Sequence, residues 1–339
     1  MVPTATRAHF SLSDLDLDPA AEARRIGAAL HQQVFHDLRR KGVVLGISGG
    51  IDSSVTAALC VRALGARRVV GVLMPEHDSA PSSLELGRQL ADHLGIETVV
   101  EDVAGILEAA GCYRRRDDAL RRLVPAYGPG YKSKIVLPDL SQGVGYRIFS
   151  VVIQAPDGQL FRQRMPLDVY QEVVAATNFK QRVRKMMEYY HADRLRFAVA
   201  GTPNLLEFDQ GFFVKNGDGA ADVKPIAHLY KRQVYQLAAY LGIPAIIRTR
   251  PPTTDTYSLE QTQQEFFFSL PWDQMDVCLY GRNHGIPVDQ IAAAVGLAPD
   301  HVERVYRDID AKRQAARYLH QGPCLVSGPV PTGGEHAAG

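Results

Sequence analysis

Residues 48–54 read Ser48-Gly49-Gly50-Ile51-Asp52-Ser53-Ser54, a set of small and hydroxylic side chains with one carboxylate among them. The apolar run Val43-Val44-Leu45-Gly46-Ile47 comes before it and Val55-Thr56-Ala57-Ala58-Leu59-Cys60-Val61 after it, which predicts a strand, a tight loop and a helix. A loop at that place gathers backbone N–H groups and the positive end of a helix, so it suits an anion, and glycines let the anion come close. Asp52 would repel a triphosphate unless a divalent cation lay between them, so charge balance calls for Mg²⁺ and the nucleotide is read as Mg-ATP. The loop is not the G-x-x-x-x-G-K-[ST] signature, because no lysine follows the glycines.

A second strand-to-loop passage, Ala198-Val199-Ala200-Gly201-Thr202-Pro203-Asn204-Leu205-Leu206-Glu207, places a carboxylate five residues after Thr202. Glu207 could join Asp52 on one Mg²⁺; spacing alone leaves open a solvated helix residue instead. Residues 211–225 form a polar loop with Lys215, Asp218, Asp222 and Lys224, and Lys231 opens the helix beyond. A fixed ammonium there would offset charge on a departing pyrophosphate. For Lys215 and Lys224 the sequence does not separate that role from a solvated surface charge.

The elements that must position these residues follow from periodicity. Residues 18–40 predict an amphipathic helix; 68–74, 97–100 and 196–200 predict further strands, with helices at 82–94 and 103–110 between them. Alternation of this kind gives an α/β fold with an open parallel sheet and flanking helices, binding its ligand at the strands' carboxyl ends. The rhythm breaks at 112–165, which reads as an inserted β-containing subregion with strands at 146–155 and 159–165 joined by Pro156-Asp157-Gly158. A long helix is expected at 167–190, then helices at 230–241, 272–284, 288–295 and 300–318, and a flexible tail at 327–339. One domain over residues 1–320 is the simplest organisation.

The chain has 339 residues, is 46% hydrophobic and carries a net charge of +1, without the basic surplus of a nucleic-acid binder. Its four cysteines form no C-x-x-C pair, which argues against a zinc knuckle or a disulfide framework and suits a reducing cytoplasm. No apolar run approaches membrane-spanning length, and the first residues lack a signal-peptide core. Small molecules are the expected partners.

Taken in order, residues 48–54, Asn178-Phe179-Lys180-Gln181-Arg182-Val183-Arg184-Lys185-Met186, residues 201–207, residues 212–222 with Pro225, and Leu229-Tyr230-Lys231-Arg232-Gln233 resemble the motif set of the NAD synthetases, ammonia-dependent type, in the N-type ATP pyrophosphatase superfamily. The match spans about residues 40–285. The resemblance implies an adenine nucleotide alpha hydrolase-like, Rossmann-like fold. It also implies a ligase that adenylates nicotinic acid adenine dinucleotide with ATP and then lets ammonia displace AMP. It assigns ATP contacts to Gly46, Ser48, Gly49, Gly50, Asp52, Ser53, Ser54, Thr202, Lys231 and Thr253, and the metal to Asp52 and Glu207. It assigns the dinucleotide to Asn178, Arg182, Lys215, Asp218 and Asp222, with Asp52, Lys231 and Asp218 in the chemistry and Asp218 or Asp222 at the ammonium.

The resemblance further implies a homodimer. Only about 40 residues precede the core, too few for a glutaminase domain, so the expected nitrogen source is free ammonia or a separate glutaminase. Two departures fall on the acceptor side: the insertion, and residues 251–258 running into Gln263-Gln264-Glu265-Phe266-Phe267-Phe268. That aromatic run could stack a ligand ring or pack as a helix face, the latter being favoured. A same-fold amide ligase acting on another carboxylate is the alternative; a tRNA-modifying ATP pyrophosphatase fits less well, lacking paired cysteines and basic charge.

Overall fold

The computed structural model describes residues 10–136, 149–252, 256–268 and 270–326; the tail at 327–339 and Thr253 lie outside them. Along the chain, α1 (Pro19–His31) leads to β1 (Val43–Gly46), α2 (Ile51–Leu64), β2 (Val69–Leu73), α3 (Pro81–Leu94), β3 (Glu97–Val100), α4 (Ala104–Ala109) and α5 (Cys112–Arg121). Three more strands follow, β4 (Lys132–Val136), β5 (Ser150–Gln154) and β6 (Leu160–Arg164), then α6 (Leu167–Leu195), β7 (Ala198–Val199) and α7 (Leu205–Gln210). The helices α8 (Lys231–Tyr240), α9 (Ala245–Arg248), α10 (Trp272–His284), α11 (Val288–Val295) and α12 (Pro299–His320) complete the described chain.

The first sheet is parallel with the order β3-β2-β1-β7. Its inner strands are continuous valine and leucine because helices cover both faces: Val43, Val44, Leu45, Val69 and Val72 are buried. One side packs on α1, α2 and α8 and the other on α6. The α/β reading and its parallel strands therefore hold. Ending β1 in the middle of the sheet puts the loop at 48–50 over the carboxyl edge.

The second sheet, β4-β5-β6, is antiparallel and packs its alternate residues Ile135, Val151 and Ile153 against Val169 and Val173 of α6. Gly158, at φ +88°, supplies the left-handed residue of the hairpin between β5 and β6. The outer edge of β4 is covered by the segment after residue 256: Ser133 N–H donates to Ser258 Oγ (2.9 Å), Leu259 N–H to the Ser133 carbonyl (3.2 Å), and the Gln261 side chain to the Ile135 carbonyl.

The inserted subregion, read from the sequence as β-containing, also holds a helix at its start. It begins with α5, whose Cys112, Arg116, Ala119 and Leu120 recur at helical spacing and are buried. Arg116 misleads a reader of charge patterns, because it is buried by a partner far off in sequence. Its Nη1 lies 2.5 Å from Asp78 Oδ2, and Lys180 Nζ joins the same oxygen at 2.5 Å and Glu76 Oε1 at 3.0 Å. Tyr113 donates to Glu76 Oε2 (2.8 Å), and Lys180 also donates to the Thr256 carbonyl (2.7 Å). Burial alone would raise the Asp78 carboxyl; Lys180 and Arg116 outweigh it and hold it below the ordinary aspartate value.

This network ties the β2 exit, α5, α6 and the segment at 256 together. Removing one member strands the others in a dry interior. Lys180→Met is expected to cost roughly 3–5 kcal/mol in urea unfolding, and a loss within experimental error of zero would show that water reaches the network freely.

Candidate active site

The loop at 48–50 opens into a cavity of about 780 Å³ whose wall includes Gly46, Ser48, Gly50, Asp52 and Ser53. The helix that follows has Gly50 at its N-cap and no side chain capping it. The first-turn N–H groups of α2 are therefore free to meet an anion. The hydroxyls are divided. Ser48 Oγ and Ser53 Oγ face one another at 3.2 Å on the cavity wall, whereas buried Ser54 donates to the Gly50 carbonyl (2.8 Å).

Gly49, at φ +72°, turns away from the cavity. A Cβ there would come 2.8 Å from Leu86 Cβ and 2.9 Å from the Ser83 carbonyl oxygen. Gly49 and Ser54, both expected at ATP, do not line the cavity with their side-chain positions.

Asp52 stands in the first turn of α2 with Oδ2 2.5 Å from Lys231 Nζ, and its Oδ1 accepts from Asn204 Nδ2 (3.1 Å). Asn204 also caps α7 reciprocally with Glu207: Glu207 N–H donates to Asn204 Oδ1 (3.3 Å) and Asn204 N–H to Glu207 Oε2 (3.1 Å). Glu207 Oε1 accepts from Gln263 Nε2 (2.8 Å). Two carboxylates and one ammonium thus share a half-closed pocket. Burial, with the Asp52 charge adding to it, pushes the Glu207 carboxyl well above the ordinary glutamate range. Burial would lower the Lys231 ammonium, but Asp52 and Glu207 outweigh it and hold it above the usual lysine value.

Lys231 is fixed from behind by a residue the sequence reading passed over. Buried Asp276 of α10 accepts the backbone N–H of Lys231 (3.1 Å) and of Arg232 (2.6 Å), capping α8 from another helix. Asp276→Asn is expected to slow pyrophosphate release about tenfold with the KM of the acceptor little changed; an acceptor KM rising in step would place its effect elsewhere.

Thr202 and Asn178 line the cavity as expected, and so does Asp218, whose carboxyl is raised by burial and accepts the Val214 N–H at 2.7 Å. Three other expected substrate contacts do not line it. Arg182 is exposed on α6 and donates to the Lys215 carbonyl (3.3 Å). The Lys215 ammonium caps the end of α12, donating to the carbonyls of Tyr318 and Gln321 (2.8 Å each). Asp222 is exposed and receives the Val199 N–H at 2.7 Å, pinning its loop to β7. Each has found a nearer protein partner.

Opposite the phosphate loop the wall is aromatic. Phe266 and Phe267 line it with Phe212, which stacks on Phe267 at 4.7 Å, while Phe268 is buried behind. Two rings of the run thus reach the cavity wall while the third packs in the core. Asn204 was detectable, since N-x-x-E is a capping-box pattern; Asp276 and Gln263 carry no local signal.

The NAD synthase family profile matches residues 22–121 and 144–317. The chain belongs to the NAD synthase family. The match runs further than the 40–285 core read from the motifs, through α10 to α12, and its gap falls within the inserted subregion. The NH(3)-dependent NAD(+) synthetase of Rhizobium meliloti (strain 1021) is 61% identical over 96% of this chain and 97% of its own. Among solved structures, the NMN synthetase of Francisella tularensis (TM-score 0.63, 20% identity, 91% of this chain and 99% of that one) shares the fold. So does the NH3-dependent NAD synthetase of Campylobacter jejuni subsp. jejuni NCTC 11168 (TM-score 0.60, 21% identity, 92% and 100%). Among the described residues of this family member, no helix is long and apolar enough to cross a membrane.

Proposed function

We propose that this chain is an ammonia-dependent NAD synthetase: ATP adenylates the carboxylate of nicotinic acid adenine dinucleotide, and ammonia displaces AMP to leave the amide. The observation that carries the reading is that the Asp52, Lys231 and Glu207 cluster and the Asn178 and phenylalanine wall open on one cavity, in a chain that matches an NH(3)-dependent NAD(+) synthetase over nearly its whole length.

A carboxylate is a poor acylating agent because its leaving group would be oxide; adenylation gives it a phosphate leaving group instead. In the first step the substrate carboxylate oxygen attacks the α-phosphorus and the bond to the β-phosphate oxygen breaks. Lys231 and the uncapped N-terminus of α2 would offset the charge that the departing pyrophosphate gathers. In the second step ammonia forms the C–N bond, the acyl C–O bond breaks and AMP leaves. The buried Asp218 carboxyl, with its raised proton affinity, is suited to take the surplus proton. Phe266 and Phe267 offer flat faces for the nicotinic ring.

The donor set suits Mg²⁺. Asp52 and Glu207 supply hard oxygens, and burial with the Asp52 charge holds the Glu207 carboxyl above its ordinary range, a shift that a divalent cation there would reverse. When bound, the ion would neutralise triphosphate charge beside Asp52 and Glu207. A single domain over residues 1–320 and a cytoplasmic setting belong to this reading, with ammonia free or handed over by a separate glutaminase. So does a homodimer: Met186 and Tyr190 are more than half exposed on the same helix as Arg182, an outward face a second copy could cover.

Purified protein with Mg-ATP, ammonium and nicotinic acid adenine dinucleotide should release NAD, AMP and pyrophosphate in equal amounts. AMP formed only with another acid, such as nicotinic acid mononucleotide, would transfer the activity to that acceptor. Asp52→Asn should lower the rate by at least about 10²-fold; a variant at wild-type rate would remove Asp52 from the site.

A further inference from the structure

Glu188 of α6 lines the cavity, is 6% exposed, and belongs neither to the Asp52 cluster nor to the Lys180 network. Its Oε2 lies 2.6 Å from Nζ of Lys185, one helical turn earlier and equally buried. Its Oε1 accepts no hydrogen bond among the described residues, and it faces the end of β1, where a Cβ built on Gly46 would come within 2.8 Å of it. Any side chain at 46 would displace this oxygen. Gly46 therefore keeps a space open beside a carboxylate that is held still on one side and unpaired on the other.

Glu188 Oε1 borders the cavity and takes no hydrogen bond from the described residues, so a donor on a molecule entering the cavity can meet it. The reactants offer ribose hydroxyls, an exocyclic amine and ammonia. Position selects among them. Gly46 precedes Ser48 by two residues, roughly 7 Å of extended chain, and the phosphate loop begins there. The group bonded directly to the α-phosphate of ATP is its ribose, whereas the base lies further out.

We propose that Glu188 accepts a hydrogen bond from a ribose hydroxyl of ATP, and that Lys185 is a positioning residue that locks the carboxylate in that orientation. The assignment rests on the ATP-dependent reading above. It makes Glu188 a residue that selects ribonucleotides over deoxyribonucleotides.

The test compares ATP, 2′-deoxy-ATP and 3′-deoxy-ATP, by pyrophosphate release and by equilibrium titration, in the wild type, Glu188→Gln and the double variant Lys185→Met with Glu188→Leu. The double variant replaces both members of a buried pair by apolar residues, a change that folded proteins commonly tolerate. The wild type is expected to prefer ATP over one deoxy analogue by about 10- to 100-fold in kcat/KM. Glu188→Gln should keep part of that ratio through its amide oxygen, and the double variant should reduce it to within about threefold. Equal use of all three nucleotides by the wild type would overturn the assignment, as would an undiminished ratio in the double variant. A raised KM for ammonium with the nucleotide ratio intact would also overturn it, by turning Glu188 toward the nitrogen substrate. Tighter binding of ATP than of the deoxy analogue, lost in the double variant but with no AMP formed from any acceptor, would support the assignment while refuting the adenylation reading.

Discussion

The buried contact between Asp52 and Lys231 is the constraint on which the rest of the molecule depends. A carboxylate and an ammonium at 2.5 Å, with Glu207 adding a second negative charge nearby, are expensive to keep from water. The fold offsets that cost by bringing three helix starts to one place. Asp52 lies in the first turn of α2, Glu207 in that of α7, and Lys231 opens α8. Asp52 and Glu207 each gain from the positive end of the helix they stand on, while the first N–H groups of α8 are met by Asp276. This arrangement requires β1 and β7 to be neighbours, which the sheet order provides, since α2 follows one and α7 the other.

The aromatic side of the cavity is held differently, by links that run across the chain. Lys180, Glu76, Asp78 and Arg116 join α5 and α6 to the loop after β2, and the Thr256 carbonyl fastens the segment leading to the phenylalanines onto the same lysine. At the other end Lys312 of α12 donates to the Phe267 carbonyl at 2.6 Å. Inserted subregion and terminal helix are thus structural supports for one wall of the cavity, although neither meets the phosphate loop.

What could be read from the sequence was what is decided locally. Periodicity gave the parallel strands and the long helices, and the ends of α10 and α11 fall at the residues expected. The loop at 48–54 lies where its composition implied. Less could be read where a distant partner decides the outcome. Arg116 looks solvated until Asp78 is seen beside it. Lys215, expected at the substrate, donates its ammonium to carbonyls at the end of α12. Ser54 adds a hydroxyl bond to the Gly50 carbonyl that already accepts its N–H, and α3 leaves no room for a Cβ at 49.

The run at 266–268 shows why ligand wall and core are not alternatives. Phe268 is fully buried with Leu270, Met275 and Ile309 in the core of the terminal helices, whereas Phe266 packs against the core of the inserted subregion with Tyr257. Phe267 lies between them, stacked on Phe212 and under the Lys312 ammonium, 4.5 Å from its ring centroid. Successive residues of one tight turn must point in different directions, so a run of three aromatics reaches both cores and still leaves two rings on the cavity. A wall made this way inherits the rigidity of both cores, because no ring can swing without opening a void behind it. Ring position then reports on packing far from the chemistry, and substitutions in α12 reach the acceptor side through Phe267 without touching the phosphate loop.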